Sequence, residues 1–173
     1  MKIRFMAHCA LFAALMCLCA WLSVPTPVGV ISMQTFGLFL TLGVLGGQKG
    51  CLVCLLYLLL GAVGLPVFTG FRGGIGVLLG PTGGYIGGFL VGALVYWTLT
   101  SLKVRPLPAM ICAQLVCYLC GTVWYKILFP QTGLWAVMLT CILPYLIPDA
   151  FKIALAFSLS GKLARFINPP SRT

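Results

Sequence analysis

The feature that most constrains this 173-residue chain is a series of long apolar segments separated by short polar turns. A helix that crosses the hydrocarbon core of a bilayer needs about 20 apolar residues. The chain is 61% hydrophobic and only 7% charged, whereas a soluble domain carries about 25% charged residues. Together these features predict an all-α integral membrane protein. They exclude soluble enzymes, nucleic-acid-binding modules and disulfide-rich secreted domains.

About six transmembrane helices account for the chain as a single domain over residues 1–173. Five spans are predicted over residues 5–23, 28–47, 51–65, 85–101 and 107–129. The segment 134–147 is too short to cross alone and contains Pro144, so we expect a short helix outside or partly inserted in the membrane. The sixth span is predicted over about 148–166, with Pro148 at its first helical position.

The charges are strongly unbalanced, with eleven Lys and Arg residues against one acid. If the N-terminus is cytoplasmic, the predicted spans place most cations on the cytoplasmic side: Lys2, Arg4, Lys49, Lys103, Arg105, Lys162, Arg165 and Arg172. Arg72 and Lys126 fall on the outer side, and Lys152 lies within the last span. Because cytoplasmic loops are enriched in Lys and Arg, this bias predicts a multi-pass protein of the bacterial-type plasma membrane with both termini cytoplasmic.

Asp149, the sole acid, is three residues from Lys152 and therefore shares a helix face with it. Ionised side chains within a membrane span are costly and usually face a cavity. The two residues predict a polar site near the positive end of a helix dipole, suited to a small anionic ligand that also carries N–H donors. The alternative is a structural ion pair that only fixes helix packing.

A glycine-rich stretch between Gly61 and Gly92 holds 12 of the 21 glycines. Irregular backbone at membrane depth is tolerated where it is buried in protein or lines a wet cavity. Arg72 and Tyr85 are the functional candidates here, whereas close helix packing explains a further set of glycines: Gly83, Gly87, Gly88 and Gly92. The 24–35 loop, which ends near Gln34, lies on the same predicted face as this stretch and as Asp149. This convergence predicts a pocket open to the outside.

The sequence gives little support for metal, redox or enzymatic chemistry. Cys51 and Cys54 form a CxxC pair, but most of the nine cysteines lie in predicted spans, where they behave as small apolar residues. His8 is the only histidine and is expected to be an interfacial or packing residue. A single carboxylate provides no paired acid and base. We therefore expect no enzyme, no metal and no nucleotide or other cofactor bound by this chain.

Four segments in order resemble the BioY family, the biotin-binding S components of energy-coupling-factor transporters. They are residues 25–35 (PTPVGVISMQT), 57–68 (YLLLGAVGLPVF), 80–85 (GPTGGY) and 144–156 (PYLIPDAFKIALA). The resemblance implies a six-helix S-component bundle with a biotin pocket toward the outer face. One departure is Ile147-Pro148 directly before Asp149, where the family usually has glycine.

Biotin, with two ureido N–H groups and a carboxylate, fits the polar site inferred above. The resemblance implies that Asp149 accepts a hydrogen bond from a ureido N–H and that Lys152 joins this network or pairs with the carboxylate. Further implied ligand contacts are Gln34, Arg72, Thr82, Gly83 and Tyr85, with an apolar wall of Leu65, Phe68 and Phe71.

S components also resemble one another in an A-x-x-x-A pattern that docks the transmembrane coupling subunit, and Ala10 and Ala14 provide it here. An ordinary helix–helix seam is the alternative. The implied partners are this coupling subunit and two cytoplasmic ATPases, although a solitary transporter is equally compatible with the sequence. The remaining alternatives are an S component for another small vitamin and a structural membrane protein without a ligand.

Overall fold

A computed structural model describes residues 2–26 and 29–167 of the chain. The elements follow in the order α1 (Lys2–Trp21), β1 (Ser23–Thr26), β2 (Gly29–Ser32), α2 (Gln34–Leu45), α3 (Gly47–Ala62), α4 (Ile75–Leu79), α5 (Gly83–Ser101), α6 (Pro106–Leu128), α7 (Leu134–Cys141) and α8 (Leu143–Ile167). The architecture is a helix bundle, as the all-α prediction requires. It also contains one short β-hairpin, which the sequence analysis did not predict. Val28 and Arg172 of the sequence predictions lie outside the described residues.

Within the described part of the chain, four helices are long and apolar enough to cross a membrane: α1, α5, α6 and α8. Helices α2 and α3 are apolar but shorter, with 12 and 16 residues. They are separated by Gly46 alone, whose φ of 81° lies in the left-handed region that favours glycine. The predicted second span is too long, because the residues before Gln34 form a hairpin instead.

This hairpin follows α1 directly. Strands β1 and β2 pair antiparallel, with Ser23 opposite Ser32 and Val24 opposite Ile31. The amide of Met33 donates to the carbonyl of Leu22 at 2.9 Å and joins the end of the hairpin to the end of α1. The hairpin thus fixes where α2 begins and places Gln34 and Thr35 in its first turn.

The last helix begins earlier than predicted. Helix α8 starts at Leu143, so Pro148 lies inside it and the prediction that Pro148 opens the helix is wrong. A proline inside a helix removes one backbone hydrogen bond but need not end the helix in a membrane bundle. Asp149 is therefore in the second turn, and its predicted placement at the positive helix end is wrong, because the dipole effect is confined to the first turn.

Small residues set the closest helix packing. Helix α5 contacts α6 most extensively and α2 packs on α8. A Cβ atom on Gly92 would lie 2.8 Å from the Ala113 carbonyl oxygen, and one on Gly88 would lie 3.2 Å from Cys117 Cα. These glycines have the packing role that the sequence indicated. Gly87 does not, because a Cβ there would meet no atom within 4 Å.

The helices alternate in direction between two ends of the bundle. The α2–α3 turn contacts α5 near its C-terminal end, since a Cβ on Gly47 would lie 2.5 Å from Trp97 Cα. Gly43 likewise lies against Ser160 in the second half of α8. This end, called the basic end below, carries Arg4, Lys49, Lys103, Arg105, Lys162 and Arg165. The opposite end carries the hairpin, the 63–82 segment, Lys126 and the α7 region.

Candidate ligand-binding site

Asp149 and Lys152 form a buried ion pair on α8. Their side chains are only 6% and 5% exposed, and Lys152 Nζ lies 2.7 Å from Asp149 Oδ1. Within the described residues, this pair is the one salt bridge, and Asp149 is the one acceptor of the Lys152 ammonium. An ammonium has three donors, so two of them have no acceptor among the described residues.

The carboxylate of Asp149 accepts hydrogen bonds from four side chains. Lys152 and the Thr35 hydroxyl donate to Oδ1, at 2.7 and 3.1 Å. The Gln114 amide and the Tyr118 hydroxyl donate to Oδ2, at 3.0 and 2.7 Å. These four donors form the Asp149 shell, and their bonds join α2, α6 and α8 at one point of the bundle.

Three of these four donors were not identified from the sequence. Thr35 follows the predicted Gln34, whereas Gln114 and Tyr118 lie in the predicted fifth span. The spacing of Gln114 and Tyr118 could have identified them, because polar residues four positions apart share one face of a transmembrane helix. Thr122 continues this face by another four residues and is also buried. The polar face of α6, defined as Gln114, Tyr118 and Thr122, thus points into the bundle.

Gln34 is buried, but within the described residues its side chain belongs to a separate hydrogen-bond network. Its amide donates to the Tyr57 hydroxyl at 2.7 Å, and its carbonyl oxygen accepts from the Thr69 hydroxyl at 3.0 Å. Tyr57 in turn donates to the carbonyl of Val67 at 2.8 Å. The network secures the glycine-rich segment to α2 and α3.

The glycine-rich segment places its predicted site residues at different depths. Arg72 and Thr82 are exposed at the end of the bundle, whereas Gly83 is buried. A Cβ on Gly83 would overlap the carbonyl group of Leu78, so packing of α5 against α4 requires glycine there. The structure therefore does not bring Arg72 or Thr82 into the Asp149 shell.

Tyr85 lies inside the bundle at the start of α5. Its ring packs on Gly121 of α6 so closely that a Cβ there would overlap the ring. Its hydroxyl is buried without a hydrogen-bond partner among the described residues, although Thr122 and Cys141 are nearby. Thr122 is one helical turn from Tyr118, which donates to Asp149, so Tyr85 lies close to the Asp149 shell.

A groove of about 240 Å³ between α6 and α8 reaches the Asp149 shell. Its walls are mostly apolar and include Ile111 and Ile153, and its polar lining consists of Gln114, Tyr118 and Asp149. Ile111, Leu115 and Leu146 in its lining are exposed, so the groove opens at the surface of the bundle between these two helices.

The predicted apolar wall is only partly buried. Phe68 is 1% exposed and packs edge-on against Tyr57, with ring centroids 5.6 Å apart. Leu65 and Phe71 are exposed. Phe71 stacks on Trp21, whose indole donates to the carbonyl of Pro66 at 2.7 Å. Trp21 thus fastens the end of α1 to the glycine-rich segment.

The remaining sequence candidates lie away from this region. Cys51 and Cys54 are buried in α3 as free thiols. The described residues contain no group of three or more His, Cys, Asp or Glu side chains that could hold a metal ion. Ala10 and Ala14 are exposed on the outer face of α1, available for a neighbouring helix.

A family model described as the BioY family matches residues 1–169. The chain belongs to the BioY family. A probable biotin transporter BioY of Pyrococcus horikoshii is 38% identical over 94% of this chain and 98% of its own length. The biotin transporter BioY of Thermotoga maritima is 45% identical, over 58% of this chain and 59% of that protein.

A solved structure has the same fold. A crystal structure of the S-component for biotin from an ECF-type ABC transporter superposes with a TM-score of 0.85, covers 95% of this chain and 92% of its own, and is 24% identical. The described helices therefore form an S-component bundle. Several described helices are apolar, and the relatives are named as transporters and not as enzymes. This BioY-family chain is therefore a multi-pass membrane protein.

Proposed function

We propose that this chain is the biotin-binding membrane subunit of a transporter. Membership of the BioY family, whose curated members include biotin transporters, is the observation that carries this proposal. The polar region around Asp149 supports it, because biotin combines N–H donors, an apolar ring system and a carboxylate. The chain captures biotin at the outer face and delivers it across the membrane.

Asp149 and Lys152 are the central ligand residues of this proposal. Four protein donors already occupy the Asp149 carboxylate, so a ureido N–H must replace one of them. The Thr35 hydroxyl is the first to be replaced, since its 3.1 Å bond is the longest of the four and the donor is neutral. Lys152 keeps its bond to Asp149 and directs its remaining donors to the ligand.

The other proposed contacts differ in their support. Tyr85 faces the same polar region as Asp149, and we assign it to the pocket. Arg72 and Thr82 lie near the opening, where a cation suits the carboxylate of an incoming ligand. Gln34 and Gly83 act by holding the glycine-rich segment and by allowing its close packing.

The proposed topology has about six membrane spans, with α2 and α3 as the two short ones. Both termini are cytoplasmic in this proposal, because the basic end carries six of the described cations and cytoplasmic loops are rich in Lys and Arg. The Asp149 region then opens toward the outside.

The proposed partners are the transmembrane coupling subunit and two cytoplasmic ATPases of an energy-coupling-factor transporter. The exposed Ala10 and Ala14 support docking on α1, since small residues allow close approach of another helix. Uptake of labelled biotin in cells with and without these partners separates coupled transport from a solitary mode.

Direct binding tests the ligand. We expect purified protein to bind biotin and to be stabilised by it in proportion to RT ln(1 + [L]/Kd). A thermal-shift screen against other small vitamins is the comparison. Stabilisation by a different vitamin and not by biotin would assign another ligand, and no stabilisation by any would favour a purely structural role of the Asp149–Lys152 pair.

A further inference from the structure

Three buried polar atoms in the bundle lack hydrogen-bond partners among the described residues. They are Tyr85 Oη on α5 and Gln114 Oε1 and Thr122 Oγ1 on α6. Gln114 is 5% and Thr122 is 9% exposed. Buried polar atoms in native structures are almost always paired, so each exception needs an explanation. The polar face of α6 supplies two of the three, and Tyr85 lies beside it.

Gln114 differs from Tyr118, although both donate to Asp149 Oδ2. The Tyr118 hydroxyl uses its one hydrogen to donate to the carboxylate. The Gln114 amide nitrogen also donates to the carboxylate, whereas the amide oxygen has no donor among the described residues. The amide cannot be reversed, because its oxygen would then face an oxygen that only accepts hydrogen bonds. The Asp149 carboxylate thus fixes Gln114 with an acceptor pointing away from it.

We propose that Gln114, Thr122 and Tyr85 form a second polar wall of the ligand site, in which Gln114 Oε1 accepts a ligand N–H. This inference rests on the proposed function. Eight residues separate Gln114 from Thr122, which is about 12 Å along the helix. The wall therefore meets an elongated ligand at two ends. The Thr122 and Tyr85 hydroxyls, which can donate, lie toward the hairpin end of the bundle and receive the carboxylate.

The first test compares two variants that each remove one hydrogen bond to Asp149 Oδ2. Gln114→Met removes the free acceptor as well, whereas Tyr118→Phe does not. Calorimetry with purified protein should show a loss of biotin affinity at least about tenfold larger for Gln114→Met. Biotin methylated at its ureido nitrogens has no N–H to offer, so the excess loss should vanish with that ligand. Equal losses for biotin would overturn the inference.

The second test addresses the hydroxyls. Wild-type protein should prefer biotin over biotin methyl ester, and Thr122→Val and Tyr85→Phe should reduce that preference by about tenfold. Thr98→Val is the matched control, because the Thr98 hydroxyl already donates to the Leu94 carbonyl within α5. An unchanged preference in both variants would overturn this part of the inference, which can be tested even if Gln114→Met does not fold.

Failure of the proposed function and failure of the second polar wall give different experimental results. If wild-type protein binds no biotin, the proposed function is wrong and the wall loses its ligand. If wild-type protein binds biotin while the variants behave as their controls do, the function stands and the second polar wall is wrong.

Discussion

The Thr35 hydroxyl donates to Asp149 Oδ1 at 3.1 Å, although 114 residues separate the two in sequence. This bond joins the first turn of α2 to the second turn of α8. On the other oxygen, Gln114 and Tyr118 join α6 to the same carboxylate. The only acid of the chain therefore holds three helices together at the site where we propose that the ligand binds.

Replacing Asp149 should separate binding from membrane insertion. Asp149→Asn leaves Lys152 buried without a counter-charge, which typically costs about 3–5 kcal/mol. We expect biotin affinity to fall by at least about 100-fold while the protein still inserts, measured by equilibrium binding and by membrane fractionation.

The paired replacement of Asp149 by Leu and Lys152 by Met is the control for this experiment. It removes both charges together, so no buried charge is left unpaired, although the donors of Thr35, Gln114 and Tyr118 lose their acceptor. We expect it to fold and to bind no biotin. Biotin binding at wild-type affinity would contradict the assignment of this pair to the ligand site.

Thr35→Val tests whether the ligand replaces the Thr35 hydroxyl. The bond contributes about 1 kcal/mol to the stability of the unliganded bundle, so thermal unfolding should begin at a lower temperature. Biotin affinity should rise by up to about fivefold, since the variant no longer has this bond to break on binding. A loss above about tenfold would show that Thr35 stays on Asp149 in the complex.

Gly83 and Gly87 provide a matched pair for the packing of α5. A Cβ on Gly83 overlaps the Leu78 carbonyl group, whereas one on Gly87 meets no atom within 4 Å. Gly83→Ala should lower stability by about 2 kcal/mol or more, because backbone must move. Gly87→Ala should be neutral or slightly stabilising, since alanine favours helix. Equal melting temperatures for the two variants would contradict this account.

Orientation can be measured with a membrane-impermeant maleimide on intact cells. Gln131→Cys places a thiol in the exposed turn after α6, and Lys103→Cys places one at the basic end. Against the background of the nine native cysteines, only the first variant should gain labelling before lysis. Gain of labelling by the second variant alone would reverse the proposed topology.

Sequence patterns predicted α1, α5 and α6 to within about three residues because each is a long apolar run between polar turns. They failed at α2, where residues 29–32 of the predicted span form a β-strand, and at α8, where proline lies inside the helix. A proline can open a helix or lie inside one, and a short apolar segment can form a helix or a strand. Contacts with neighbouring elements select between these structures.

Charge scarcity and ordered motifs are visible without coordinates, so they indicate the membrane class and the family and select Asp149 and Lys152 as candidate ligand residues. The hydrogen-bond partners of that pair could not be predicted in this way. Hydrogen bonds from Thr35, Gln114 and Tyr118 depend on how α2, α6 and α8 pack, and helix packing is a long-range property. For the same reason, packing separated glycines needed for close approach from Gly87, which has open space around it.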